Sequence, residues 1–149
     1  MRRTAAVALL MALMLTMFAM PASADSPVEQ VISVARDQLG KPYALFSDAP
    51  RSFNCVSFVA YCFNQIADGT ISLDGISGDY KKIKSTKHLK TGDILCFKSA
   101  TKQKGVLSHH YGIYLGKGYF IHASNADKCV TISKLKSYKK RFTGAVRIL

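Results

Sequence analysis

The alternation of apolar and polar residues changes character along the chain. Ala5 to Met20 is an uncharged, largely apolar run, preceded by Arg2 and Arg3 and followed by Pro21-Ala22-Ser23-Ala24. Val31, Ile32, Ala35 and Leu39 then recur at helical spacing behind Ser26-Pro27-Val28-Glu29, which supplies an N-cap, a first-turn proline and a capping-box glutamate. Gly40 is placed to stop that helix. A loop from Lys41 to Phe53 leads to a second helix over Cys55–Gln65, capped by Ser52 or Asn54, with Phe58, Val59, Cys62 and Phe63 on its apolar side. Residues 66–90 show neither period and read as a long irregular connection. Beyond them the rhythm is that of strands. These are Ile94–Lys98, Ser108–Leu115, Tyr119–Ala123, Cys129–Ile132 and Gly144–Leu149, the second and third joined as a hairpin across Gly116-Lys117-Gly118. Helices first and strands afterwards predict an α+β fold, with the helices packed on one antiparallel sheet of about five strands.

The apolar run of 16 residues is shorter than the ~20 a bilayer span requires, and Ala22-Ser23-Ala24 forms an A-x-A cleavage site. Residues 1–24 are therefore expected to be a signal peptide and residues 25–149 a single exported domain, with no membrane span after cleavage. Two of the 21 basic residues and none of the 9 acids lie in that leader, so the mature chain keeps a net charge of +10. Export and charge together favour anionic envelope polymers over nucleic acid as partners. The lysines at 81, 82, 84, 87 and 90, and those at 134, 136, 139 and 140, sit in polar stretches that read as a solvated face rather than a dedicated patch. Four cysteines allow two disulfides by count; Cys96 and Cys129, both in expected strands, are a possible pair.

Cys55 stands at a helix start, where unpaired amides and the helix dipole favour a thiolate nucleophile. Such a nucleophile needs a base. With a three-residue turn at 116–118, Leu115 faces Tyr119 and His110 faces Ser124. His122 then falls on the same side as His110 and His109 on the other. His110 and His122 are thus placed to act as base and orienter. A two-residue turn or a bulge would reverse that parity.

These residues resemble a known family. Leu39-Gly40-Lys41-Pro42-Tyr43, Phe53-Asn54-Cys55-Val56-Ser57-Phe58, Thr91-Gly92-Asp93-Ile94-Leu95, His110-Tyr111-Gly112-Ile113-Tyr114-Leu115-Gly116 and Phe120-Ile121-His122-Ala123-Ser124 occur in the order seen in NlpC-type cell-wall cysteine peptidases. The resemblance implies a papain-like fold, with Cys55 as nucleophile, His110 as general base and acid, and His122 as the third polar residue. It implies further that Tyr43, Asn54 and Ser57 contact a peptidoglycan stem peptide, cut between D-glutamate and the diamino acid. No metal or cofactor is implied, and a secreted, periplasmic or wall-associated monomer is expected. The family's Asp-Cys-Ser-Gly is here Asn54-Cys55-Val56-Ser57, which removes a carboxylate and a hydroxyl beside the nucleophile. The Asn-Cys pair also resembles CHAP amidases, which cut the muramoyl–alanine amide or a cross-bridge. Two other classes compete: a zinc site made by His109, His110, His122 and a cysteine, and a non-catalytic basic envelope-binding module. Compact metal-ligand spacing is missing, which counts against the zinc site.

Overall fold

The computed structural model describes residues 25–66, 80–100 and 109–149. The expected signal peptide lies outside the described residues, as does the stretch 67–79 of the irregular connection. Helix α1 (Pro27–Asp37) begins with the anticipated capping box: Ser26 Oγ accepts from the Glu29 amide, and the Glu29 carboxylate accepts from the Ser26 amide at 2.8 Å. Helix α2 (Cys55–Asn64) is capped by Asn54, not Ser52. Asn54 Oδ1 accepts from the amides of Val56 and Ser57 at 3.0 and 2.9 Å.

Six strands follow: β1 (Lys81–Ile83), β2 (Ile94–Lys98), β3 (His109–Gly116), β4 (Tyr119–Ser124), β5 (Cys129–Lys134) and β6 (Phe142–Arg147). A short helix α3 (Leu135–Tyr138) and a 3-10 turn (Lys139–Arg141) connect β5 to β6. All pairings are antiparallel, in the order β1-β6-β2-β3-β4-β5. The sheet thus has one strand more than the sequence suggests. β1 lies inside the supposed irregular connection and buries only Ile83, too little alternation to register as a strand. It forms because Lys81, Lys82 and Ile83 pair with Arg147, Val146 and Ala145 of β6. β6 itself starts two residues earlier than expected, since a register shift between Cys96 and Phe97 lets Phe142 pair with Phe97.

The two faces of the sheet bury different sets of side chains, as period-2 alternation requires. Ile94, Ile113, Ile121 and Ala123 pack under α1 and α2 against Val31, Ala35, Phe58, Val59 and Phe63. Leu95, Phe97, Phe120 and Ala145 form the opposite cluster, covered by Ile83, Leu135, Tyr138 and Phe142. Neither face is left to solvent. No helix among the described residues is long and apolar enough to cross a membrane.

The hairpin β3–β4 departs from the expected geometry twice, and the departures cancel. Gly116 pairs directly with Tyr119, which leaves a two-residue loop, and a register shift between Tyr114 and Gly116 sets Leu115 out of the ladder. Tyr114 consequently faces Phe120 and Ile113 faces Ile121, the register expected from a three-residue turn. Positive φ values at Gly116, Lys117 and Gly118 (89°, 51° and 80°) make this loop, and the two glycines take them without steric cost.

The proposed Cys96–Cys129 bridge does not exist; all four cysteines are free. β3 and β4 separate their strands, so about three strand spacings, roughly 14 Å, lie between them. A disulfide tolerates no more than about 7 Å between Cα atoms.

Asp93, at the start of β2, is buried and ties the sheet to its edge. Its oxygens accept from Arg147 Nε at 2.7 Å and Arg147 Nη2 at 2.8 Å, and from the Lys90 amide at 2.7 Å. Arg147 Nη2 also donates to the His88 carbonyl at 3.1 Å. Asp93→Ala leaves the β6 end and the 86–90 segment without their common anchor, and should lower unfolding free energy by about 3 kcal/mol in urea melts. A loss within experimental error would show that the pair contributes nothing net.

Candidate active site

Cys55, His110 and His122 line one cleft of about 400 Å³. Three backbone constraints deliver its walls. The first is the segment from Gly40 to Tyr43, which runs along the outer edge of β5. Gly40 N donates to Val130 O, Val130 N to Lys41 O, and Tyr43 N to Lys128 O, at 2.9, 2.8 and 2.9 Å. Tyr43 is thereby set in the cleft wall. The second constraint is the bridge between Tyr43 and Phe53, with Phe53 N donating to Pro42 O and Ala44 N to Phe53 O, both at 3.0 Å. It fixes the residues immediately before α2, and so the position of Cys55.

The third constraint is the hairpin. His110 Nε2 and His122 Nδ1 are 2.8 Å apart, with their rings nearly perpendicular. His122 Nε2 lies 3.0 Å from Ser133 Oγ on β5. Gly112 makes this possible by its lack of a side chain: a Cβ there would come within 2.6 Å of the Phe120 ring, 3.0 Å of the Ile121 carbonyl and 3.1 Å of His122 Cβ. Phe120 stacks on His122 at 4.6 Å, and Tyr138 stands edge-on to it at 5.5 Å. The rings are held in place by aromatic packing as well as by hydrogen bonds.

Cys55 comes from the α2 side of the sheet, while His110 and His122 project on the Phe97–Phe120 side. All three line the same cleft. The thiol donates to the His109 carbonyl at 3.9 Å, which sets the sulfur against the backbone of the residue before His110. His122 engages Nε2 of His110, so Nδ1 is the ring nitrogen that this pairing leaves available. When His110 carries both protons, Nε2–H must donate to His122 Nδ1, and His122 Nε2–H then donates to Ser133 Oγ. One tautomer of the whole chain is therefore selected whenever His110 is charged.

Burial governs the protonation. It pushes the Cys55 thiol up from its ordinary value; the amides of Tyr111, Cys55 and Val56 oppose this without overcoming it. Desolvation thus works against the thiolate that the helix start favours. Burial, with the Arg141 guanidinium second, holds His110 down to about 4. His122 falls to about 3, from burial first, then the neighbouring His110 and Arg141. Burial therefore disfavours the charged form of each of the three groups.

Asn54 and Ser57 are placed differently from Tyr43: both are engaged in the helix cap. Asn54 Nδ2 donates to the Leu45 carbonyl and to Ser47 Oγ, and Ser57 Oγ accepts from the Asn54 amide and from Ser47. Asparagine caps a helix as well as aspartate does, so the departure at position 54 leaves the start of α2 intact and removes only a charge. His109 lies on the other side of β3, stacked on Tyr111. Among the described residues, no three or more His, Cys, Asp and Glu side chains are grouped to hold a metal ion. The sequence reading missed Ser133, since its fourth strand stopped at Ile132, and missed Tyr138 and Arg141, which reach the cleft from the β5–β6 connection.

A profile of the NlpC/P60 family matches residues 40–147, most of the chain. The chain belongs to the NlpC/P60 family. Members of this family are peptidoglycan-cleaving cysteine peptidases. The domain is 31% identical over 127 residues to the probable endopeptidase YafL of Escherichia coli K12, covering 81% of this chain and 50% of YafL. It is 36% identical over 132 residues to the gamma-DL-glutamyl hydrolase of Bacillus subtilis, covering 85% of this chain and 30% of that protein. The chain thus spans half or less of the length of these relatives. Among solved structures, the NlpC/p60 domain of the peptidoglycan hydrolase SagA superposes with a TM-score of 0.66 at 24% identity, covering 81% of this chain and 98% of that one. The α+β architecture is that of this NlpC/P60 domain.

The histidine pair makes stability depend on pH in a calculable direction. Above about pH 6.5 neither the folded nor the unfolded chain protonates these rings. Below it the unfolded rings take up protons that the folded ones refuse, so stability falls by up to about 1.4 kcal/mol per pH unit for each histidine until pH approaches the folded values. Melting temperatures from pH 7 to pH 4 should drop more steeply for the wild type than for His122→Phe. Equal slopes, or folded-state NMR titrations of these rings near 6.5, would contradict the buried neutral pair.

Proposed function

We propose that this domain is a secreted peptidoglycan endopeptidase, using Cys55 as nucleophile, His110 as general base and acid, and His122 as its orienter. The observation that carries this reading is the Ser133–His122–His110 hydrogen-bond chain in the same cleft as a cysteine at a helix N-terminus. On substrate binding, His110 Nδ1 takes the thiol proton as Cys55 Sγ attacks the scissile carbonyl carbon. The oxyanion is met by the Cys55 amide at the first turn of α2. His110 then protonates the departing amine, and a thioester remains on Cys55. Water, deprotonated by His110, attacks that thioester and releases a carboxylate and the free thiol. The buried Ser133–His122 arm keeps the His110 imidazolium in the productive tautomer throughout.

The bond favoured is the one following γ-linked D-glutamate. Such a residue carries a free α-carboxylate beside the scissile amide, and among the described residues the cleft is lined by Lys128 and Arg141 and by no carboxylate. Arg141 lies 4.6 Å over the Tyr138 ring, where aromatic contact orients its guanidinium. The name of the Bacillus subtilis relative, a γ-glutamyl hydrolase, fits the same linkage. Position 54 agrees: without the family's aspartate, the charge recognised here is negative.

Digestion of purified peptidoglycan should produce new amine ends, mapped by mass spectrometry to the D-glutamyl bond. Cys55→Ala should abolish this release, and His110→Ala should slow it by about 10²- to 10⁴-fold. Release by Cys55→Ala at the wild-type rate would end the proposal. Arg141→Ala should raise KM about tenfold or more for stem peptides with a free D-glutamate carboxylate, and leave KM unchanged for their α-amidated counterparts. An equal effect on both substrates would assign Arg141 to packing against Tyr138.

A further inference from the structure

A second concavity, of about 710 Å³, lies at the opposite edge of the sheet from β5. Its walls are the edge strand β1, the 3-10 turn Thr86–His88 and the end of β6. Lys81, Lys82, Lys84, Lys87 and Lys90 line it with Arg147, and Ile83 and Leu89 supply apolar contact. Among the described residues, no carboxylate lines it. The Arg147 charge is matched by Asp93. The five lysines have no carboxylate within 4 Å among the described residues, where the only ion pairs are Arg147–Asp93 and Arg51–Asp48.

Edge-strand lysines have a structural use, since they discourage pairing with another chain. That explains Lys81 and Lys82, but not Lys84, Lys87 and Lys90, which lie beyond the strand and still face the same concavity. Gathering five like charges around one groove opposes folding, and counter-charge entering the groove relieves that cost. These lysines are exposed, as a solvated face requires, and they also line one concavity. Ammonium groups on flexible stems suit phosphate oxyanions as point charges, without the bidentate geometry of arginine. A concave wall accepts one extended chain and excludes a flat bilayer. β6 and β2 separate β1 from β3, so a ligand here leaves the proposed cleavage site open.

We propose that this groove is a binding site for a linear phosphate-bearing polymer, which holds the domain against a polyanionic matrix. It uses no residue of the cleft, so it stands or falls independently of the proposed cleavage chemistry.

The test is binding of long-chain inorganic polyphosphate to the full chain, measured by fluorescence anisotropy across a salt series. Lys82→Ala/Lys84→Ala/Lys87→Ala should weaken binding at least tenfold and reduce the slope of log K against log salt by about 2. The charge-matched control Lys134→Ala/Lys136→Ala/Lys140→Ala, equally exposed but off the groove, should change affinity less than twofold. Melting curves of both variants should match the wild type. Equal losses in the two variants would show net charge alone at work and overturn the site. So would wild-type binding that does not saturate, or vesicles of anionic phospholipid competing as well as polyphosphate per charge. Stronger binding of poly-L-glutamate than of polyphosphate would overturn the assignment to phosphate.

Discussion

The 2.8 Å hydrogen bond between His110 and His122 exists because the β3–β4 hairpin has one register and Gly112 has no side chain. A slip of one residue would turn one ring to the α2 face and dissolve the pair, since strand side chains alternate strictly. The hairpin reaches that register by a route the sequence does not display. A shorter loop and a bulge at Leu115, each of which alone would reverse the parity, occur together and restore it. Phe120 and Tyr138 then pack on the rings, so the geometry rests on the second hydrophobic cluster as much as on the ladder.

Burial has a double effect here. It holds the rings in a fixed arrangement and strengthens the hydrogen bonds between them, but it also discourages every charged form. Helix-terminal amides at Cys55 work against that penalty and lose. Burial thus disfavours the charged forms of the thiol and of both imidazoles.

The two basic regions of the molecule differ in construction. Lys128 and Arg141 line a cleft that also contains a cysteine and two imidazoles. The lysines of the β1 edge surround an open groove with little else in it. A chain with 21 basic and 9 acidic residues has charge to spare, and the fold distributes it unevenly.

Much of this was legible in the chain before folding. Both helix starts are written in local chemistry: Ser26 with Glu29, and Asn54 with Ser57, satisfy amides within three residues. The longer strands show their alternation, and Cys55, His110 and His122 stand out by type and spacing. What stayed hidden depends on partners distant in sequence. β1 is a strand only because β6 pairs with it, Ser133 matters only because β5 lies beside β4, and Arg141 approaches the cleft through a connection without periodicity. Cys96 and Cys129 looked like bridge partners until strand order set two strands between them. Local hydrogen bonding and hydrophobic period are properties of neighbouring residues and can be read along the chain. Strand order, desolvation and the convergence of charges arise from packing, and only the folded chain decides them.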